Sequence, residues 1–278
     1  MDSMGFETDS EKAIKVNPVW IWLPPALFVF LAGVIFLTSS NTEIFLYINQ
    51  ISSLTGDKLW AVLTFFSDGL VSFVILLPFI FRKPRLIWAV FVAAVLFTVL
   101  GQGIKHITQI PRPPQVLASD RFHLIGPDWG HNSFPSGHAS MIFNLAGVFS
   151  LTVLKNWIRF LLIGVALIIA VSRVVVGVHW PIDILAGAAM GWITVWIGLV
   201  VSKKTAWAWK GIGQKIMGAV LIFGCVLLFF VDYTGHQNIM FFQRIIALIF
   251  LIMGGHEYAR VYSWKGLFQT VRSSGTRD

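Results

Sequence analysis

Long apolar runs separated by short polar stretches dominate the chain. A run of about 20 apolar residues is long enough to cross the hydrocarbon core of a bilayer as a helix. By that criterion the sequence predicts about eight membrane spans, near 19–38, 59–81, 86–104, 135–154, 159–177, 182–202, 215–231 and 240–255. Ser67-Asp68-Gly69 interrupts the second, which reads as a short surface helix leading into a shorter span. The seventh is short enough to tilt or re-enter. Between the first two spans, Phe45, Ile48, Ile51 and Leu54 recur every three residues, the pattern of a helix lying in the membrane interface. In the sixth, Gly187 and Gly191 form a G-x-x-x-G stripe suited to close helix packing. No internal repeat, low-complexity tract or linker divides the chain.

Composition strengthens this picture. Of 278 residues, 56% are hydrophobic and only 12% charged, against about 25% charged in an ordinary soluble domain. Mean hydropathy is +0.76. These values exclude disorder, collagen, coiled coil, disulfide scaffolds and a conventional soluble enzyme, and leave an all-α, polytopic membrane helical bundle. The single cysteine, Cys225, lies in an apolar run, so no intrachain disulfide or thiolate cluster can form. Residues 1–18 lack a basic n-region, and no small-residue cleavage site follows the first apolar run, so that run reads as a retained anchor.

The net charge of +8 suggests nucleic acid until the basic residues are placed along the chain. Fifteen of the 21 fall on one alternating side of an eight-span arrangement: Lys12, Lys15, Arg82, Lys83, Arg85, Lys155, Arg159, Lys203, Lys204, Lys210, Lys215, Arg260, Lys265, Arg272 and Arg277. The positive-inside rule makes that side, and both termini, cytoplasmic. The basic excess then reports orientation and implies no nucleic acid. Lys58, Lys105, Arg112, Arg121, Arg173 and Arg244 remain on the other side and need another reason.

Three segments on that side carry unusual polar groups: Lys105 to Pro113; Pro135-Ser136-Gly137-His138 at the start of the fourth span; and Ser172-Arg173 followed by His179-Trp180-Pro181-Ile182-Asp183. Ionisable residues at membrane depth are costly and point to function. Lys105, Arg112 and Arg173 supply three positive charges, and arginine can fork onto oxyanion oxygens. Ser136 and Gly137 open a helix whose N-terminus favours an anion. His179 and Asp183 stand four apart, with Pro181 in the first helical turn, so the carboxylate can reach the imidazole, fix its tautomer and leave the other nitrogen as nucleophile or base. His138, on a different helix, can protonate a leaving oxygen.

Together, Lys105-x6-Arg112-Pro113, Pro135-Ser136-Gly137-His138 and Ser172-Arg173-x5-His179-x3-Asp183 resemble the three-part signature of the type 2 phosphatidic acid phosphatase and vanadium haloperoxidase superfamily, in its integral-membrane lipid phosphatase branch. The resemblance implies a six-helix core over about 19–202; the segment at 1–18 before it is cytoplasmic by the distribution of basic residues. The core is followed by an extension at 203–278 with two extra C-terminal membrane helices and a basic tail, all in one membrane domain. The resemblance also implies a metal-free, cofactor-free phosphatase that works through a phosphohistidine. In that scheme His179 is the nucleophile, Asp183 its orienting carboxylate and His138 the general acid and then base. Lys105, Arg112, Ser136, Gly137 and Arg173 would hold the phosphoryl oxygens.

Blander readings compete at each position. Lys105 and Arg112 alone would be snorkelling residues, Ser136-Gly137 an ordinary helix start, and Arg173 with Asp183 a structural ion pair. His106, His123 and His131 read as loop or interface residues. His256-Glu257 lacks the second histidine of a zinc-protease motif. Trp20, Trp22 and Trp180 are candidates for interfacial belts. By analogy, a site at the outer ends of the spans would take a lipid phosphate: undecaprenyl diphosphate first, otherwise phosphatidylglycerophosphate, phosphatidate or a lipid A phosphate. The host membrane would be the bacterial inner membrane. A lipid phosphotransferase using the same residues, and a transporter or flippase with a vestigial site, are the alternatives.

Overall fold

The structure, a computed structural model, describes residues 17–128, 130, 132–152, 155–231 and 239–261. Lys12, Lys15, His131, Lys265, Arg272 and Arg277 lie outside the described residues. In chain order the helices are α1 (Pro18–Leu37), α2 (Asn41–Asn49), α3 (Ile51–Thr55), α4 (Asp57–Phe65), α5 (Gly69–Val74), α6 (Pro84–Thr108), α7 (Pro113–Val116), α8 (Gly137–Thr152), α9 (Asn156–Val175), α10 (Pro181–Lys204), α11 (Ala206–Trp209), α12 (Gly211–Phe230) and α13 (Met240–Val261).

Among the described residues, six helices, α1, α6, α9, α10, α12 and α13, are long and apolar enough to cross a bilayer. Two of the eight expected spans take a different form. The second is broken, with α4 and the segment from Gly69 to Phe79 meeting at 58° across Phe66–Asp68. The fourth, α8, has only 16 residues and is buried along almost its whole length. It is a core helix enclosed by the others and needs no lipid-facing length.

The centre of the bundle is α10, packed by α1, α6 and α8, with α9 against α8. Glycine sets the closest approach. A Cβ on Gly187 would strike the Ser136 carbonyl oxygen, and one on Gly191 would come within 2.9 Å of Ser140 Cα. The G-x-x-x-G stripe therefore packs α10 onto α8, as expected. On α1, Pro24 has no N–H, so the Trp20 carbonyl one turn earlier loses its helical donor. The indole of fully buried Trp192 donates to that oxygen at 2.9 Å and locks α1 onto α10. The α12–α13 hairpin packs outside this core, against α5 and the turn at Leu77–Phe79.

Two expectations about apolar residues need correction. The stripe of Phe45, Ile48, Ile51 and Leu54 does not lie on one interfacial helix, because the chain breaks at Gln50. Phe45 is fully buried, with its ring 5.1 Å from that of Trp180, whereas Leu54 is exposed. An aromatic ring this far inside fills space between elements and leaves no common lipid-facing stripe. Trp20 and Trp180 are likewise buried: Trp20 packs on Phe160 and beneath Arg159, and the Trp180 indole donates to the Pro111 carbonyl. Of the three tryptophans, only Trp22 is exposed.

Candidate active site

The C-terminal ends of α6 and α9 and the N-terminal ends of α8 and α10 come together, and the motif residues sit at those ends. Arg82, Lys83, Arg85, Lys155, Arg159, Lys203, Lys204 and Lys210 lie at the opposite helix ends.

His179 lies in the turn between α9 and α10, almost completely buried. Its Nδ1 is 3.2 Å from Asp183 Oδ2, because Asp183, the third residue of α10, reaches back over the start of the helix. That oxygen also accepts the Trp180 N–H at 2.8 Å and a short hydrogen bond from the Ser133 hydroxyl. With a carboxylate at Nδ1, the ring hydrogen belongs there and Nε2 keeps its lone pair. Nε2 faces Arg112 Nη1, a pure donor, at 3.3 Å. Burial, reinforced by the charges of Arg112, Arg173, His138 and Lys105, holds the imidazole well below the usual histidine range. His179 is therefore neutral, with a lone pair directed at a cation.

Arg112, just before α7, is buried and donates from Nη1 to the Val178 carbonyl at 2.9 Å. Burial pulls it below its ordinary value, with Asp183 and Asp128 opposing. Arg173, in the last turn of α9, is also buried, and its Nη1 donates to Thr64 Oγ1 at 2.7 Å. Arg173 makes no ion pair with Asp183, so the bland reading of those two residues is not what folds. Arg112 Nε and Arg173 Nε and Nη2 are buried without a hydrogen-bond partner in the protein. Such groups are rare and costly, so each calls for an explanation.

Lys105, in the last turn of α6, is half-buried and donates to the Asn132 carbonyl at 3.0 Å. Ser136 precedes α8. Its hydroxyl accepts the Ala139 N–H at 3.4 Å, in the manner of an N-cap. Its own N–H donates to the Asp183 carbonyl at 3.0 Å and ties the starts of α8 and α10 together, so that N–H is engaged within the protein. Gly137 is the first residue of α8, with the Phe97 ring beside it. His138 follows, with Nε2 3.8 Å from Asp68 Oδ2.

The arrangement is a buried imidazole with a carboxylate at Nδ1, with cations and a second histidine within electrostatic reach. Among the described residues, no group of three or more His, Cys, Asp or Glu side chains is placed to hold a metal.

Three participants were not foreseen from sequence. Ser133 bonds both Asp183 and His179; Thr64 holds Arg173; and Asp68 faces His138. Asp68 alone left a trace, as the polar break in the second span. Of the remaining histidines, His123 pairs with Asp57 at 2.8 Å and His106 is exposed at the end of α6.

Residues 85–207 match the PAP2 superfamily model. The chain is 33% identical over 186 residues to an undecaprenyl-diphosphatase of Sulfolobus acidocaldarius, covering 63% of this chain and 88% of that protein. The chain belongs to the PAP2 superfamily. A lipid A 1-phosphatase of Rhizobium johnstonii is 29% identical over 161 residues, 53% of this chain and 64% of that one. The crystal structure of Aquifex aeolicus LpxE superimposes with a TM-score of 0.52 at 31% identity, covering 58% of this chain and 94% of that one. This PAP2 protein is thus a multi-pass membrane phosphatase. The family-matched segment carries the sequence-predicted site residues and ends before the α12–α13 hairpin.

Proposed function

We propose that this PAP2 protein hydrolyses a lipid phosphate or diphosphate through a phosphohistidine on His179, at the extracytoplasmic face of a bacterial inner membrane with both termini cytoplasmic. The observation that carries the reading is the set of buried guanidinium N–H groups on Arg112 and Arg173 that have no acceptor in the protein, grouped with the lone pair of His179. A phosphoryl group supplies the acceptors that those donors lack. Electrostatic stabilisation of the transferring group is the main requirement of phosphoryl transfer, and Lys105, Arg112, Arg173 and the Ser136–Gly137 helix start provide it.

In the first step, His179 Nε2 forms a bond to phosphorus while the bond to the lipid oxygen breaks. That oxygen takes a proton from His138. Asp183 stabilises the positive charge that develops on His179. Water then attacks phosphorus, gives a proton to His138 and releases phosphate, restoring the imidazole.

A lipid substrate fits the surroundings. Beside Trp180 and Asp183 lies an apolar groove of about 580 Å³, lined by residues such as Phe36, Ile110, Val116, Leu117 and Phe134 and reaching Asn41 and Thr42 at the start of α2. Such a groove suits a hydrocarbon chain next to a headgroup site. The undecaprenyl-diphosphatase likeness over most of that relative favours undecaprenyl diphosphate, with lipid A phosphate second. A phosphotransferase would use the same residues and differ only in its acceptor.

Detergent-purified protein should release orthophosphate from a panel of undecaprenyl diphosphate, phosphatidylglycerophosphate, phosphatidate and lipid A phosphate, fastest from the first. His179→Ala should insert normally and lose at least about 10³-fold of that activity, as loss of a covalent nucleophile does. Turnover by His179→Ala close to that of the wild type would overturn the mechanism.

A further inference from the structure

The elbow between α4 and α5 lies outside the family-matched segment, yet it delivers two side chains to the candidate site. Thr64, at the end of α4, accepts from Arg173 Nη1 at 2.7 Å. Asp68 is the N-cap of α5, and its two oxygens do different work. Oδ1 accepts the N–H groups of Leu70 and Val71 at 2.8 and 3.3 Å, an N-cap. Oδ2 turns toward His138 Nε2 at 3.8 Å, ion-pair distance.

Capping does not explain a carboxylate here, because asparagine and serine cap a helix as well as aspartate does. The Asp68 side chain is only 13% exposed, and a buried carboxylate is costly unless a cation faces it. The ionisable groups around it are His138 from α8 and Arg173 from α9, whose charge reaches it. His179 in turn lies within electrostatic reach of His138. His138 thus has the carboxylate of the elbow at ion-pair distance and His179 within electrostatic reach.

We propose that Asp68 is a positioning residue for the hydrolysis, holding the imidazolium of His138 ready to donate to the leaving lipid oxygen. The proposal rests on the reading of His138 as proton donor. The chemistry it assists is the breaking of the phosphorus–oxygen bond to the lipid, in which the proton on His138 passes to the departing oxygen. Its importance therefore scales with the basicity of that oxygen. An alkoxide leaving from a lipid monophosphate needs the proton most, whereas a phosphate leaving from a diphosphate and nitrophenolate, both weakly basic, need it far less.

The test compares Asp68→Asn, which keeps the cap and removes the charge, with the wild type on phosphatidate and on 4-nitrophenyl phosphate. The expected result is a loss of roughly 30-fold in kcat on phosphatidate at unchanged KM, about 2-fold on 4-nitrophenyl phosphate, and unchanged thermal unfolding. Asp68→Ser, which also caps, carries the same test in a second background. Equal losses on both substrates, or none on either, overturn the proposal, since a structural defect does not sense the leaving group. His138→Ala, assayed in parallel, separates the two claims. Wild-type turnover of phosphatidate by His138→Ala refutes the general-acid reading itself. An impaired His138→Ala beside an intact Asp68→Asn refutes only the part given to Asp68.

Discussion

The seam between α8 and α10 and the attachment of the α12–α13 hairpin to α5 are both helix packings in one apolar bundle, yet they are built differently. At the seam, glycine meets backbone: a Cβ on Gly187 or Gly191 would run into the main chain of Ser136 or Ser140. At the hairpin, glycine meets side chains: a Cβ on Gly218 would lie 3.7 Å from Ile80, one on Gly224 3.2 Å from Leu70, and one on Gly254 against Leu77. Polar ties complete that contact, from Gln214 to the Ile80 carbonyl and from Arg82 to Glu257. Between membrane helices there is little hydrophobic driving force, so close packing and hydrogen bonds hold them together. Backbone-on-backbone packing fixes two helix ends in one register, whereas flexible side chains let neighbours shift. The rigid seam is where Ser136 and Asp183 must stay in place, and the adaptable contact sits outside the family-matched segment.

The largest effect is expected where the seam is broken. Gly191→Val places carbon against the Ser140 backbone, which cannot yield as a side chain does. It should cost about 3 kcal/mol or more, seen as a lower unfolding temperature in detergent, and abolish phosphate release. Gly218→Ala in α12 meets only Ile80 at ordinary contact distance and should stay within about 0.5 kcal/mol of the wild type with full activity. Equal damage from the two substitutions would erase the distinction between seam and hairpin.

An intermediate effect tests what the seam encloses. The His179 imidazole is held well below the usual histidine range, by burial first and by neighbouring cations second. In the unfolded chain the same group titrates near pH 6.5. As pH falls below about 6.5 the unfolded state takes up a proton that the folded state refuses, so stability from this group is complete above that value and declines as acid is added. The expected decline approaches about 1.4 kcal/mol per pH unit until the folded group titrates. The stability of wild type relative to His179→Gln, measured by thermal unfolding between pH 5 and 8, should therefore rise from pH 5 to about 6.5 and then level off. A flat difference would show that His179 is not held neutral inside the protein.

How far the sequence spoke divides along the same line. The segment from Lys105 to Asp183 was legible because its chemistry is written in residue types at fixed spacing. Pro181 marks where α10 begins, and Asp183, in its first turn, is spaced to reach back to His179. The G-x-x-x-G stripe named its own packing surface. Outside that segment, apolar periodicity failed for a physical reason: in lipid, core and surface are both apolar. Phe45, Trp20 and Trp180 could not be told from lipid-facing residues by type, and only the fold shows them buried. Ser133 and Thr64 act through hydroxyls that look like any other hydroxyl in the chain. Asp68 was visible as a helix break, but its facing of His138 depends on a 58° bend and on contacts between elements far apart in sequence.

The smallest effect is expected at the outer tie. Arg82 donates to Glu257 from Nε at 3.0 Å, with its own side chain largely in solvent. Ion pairs of that exposure add little and weaken with salt. Glu257→Gln preserves the shape of the side chain and removes the charge, so no unpaired carboxylate is left behind. The unfolding temperature should fall slightly at low salt and converge with the wild type at high salt, while kcat and KM on phosphatidate stay unchanged. The comparison has most to lose here, because the hairpin packs on α5, and Asp68 caps α5. A tenfold drop in kcat from Glu257→Gln, with KM and stability intact, would mean that the hairpin sets the position of Asp68. The adaptable contact would then govern the site as firmly as the glycine seam does.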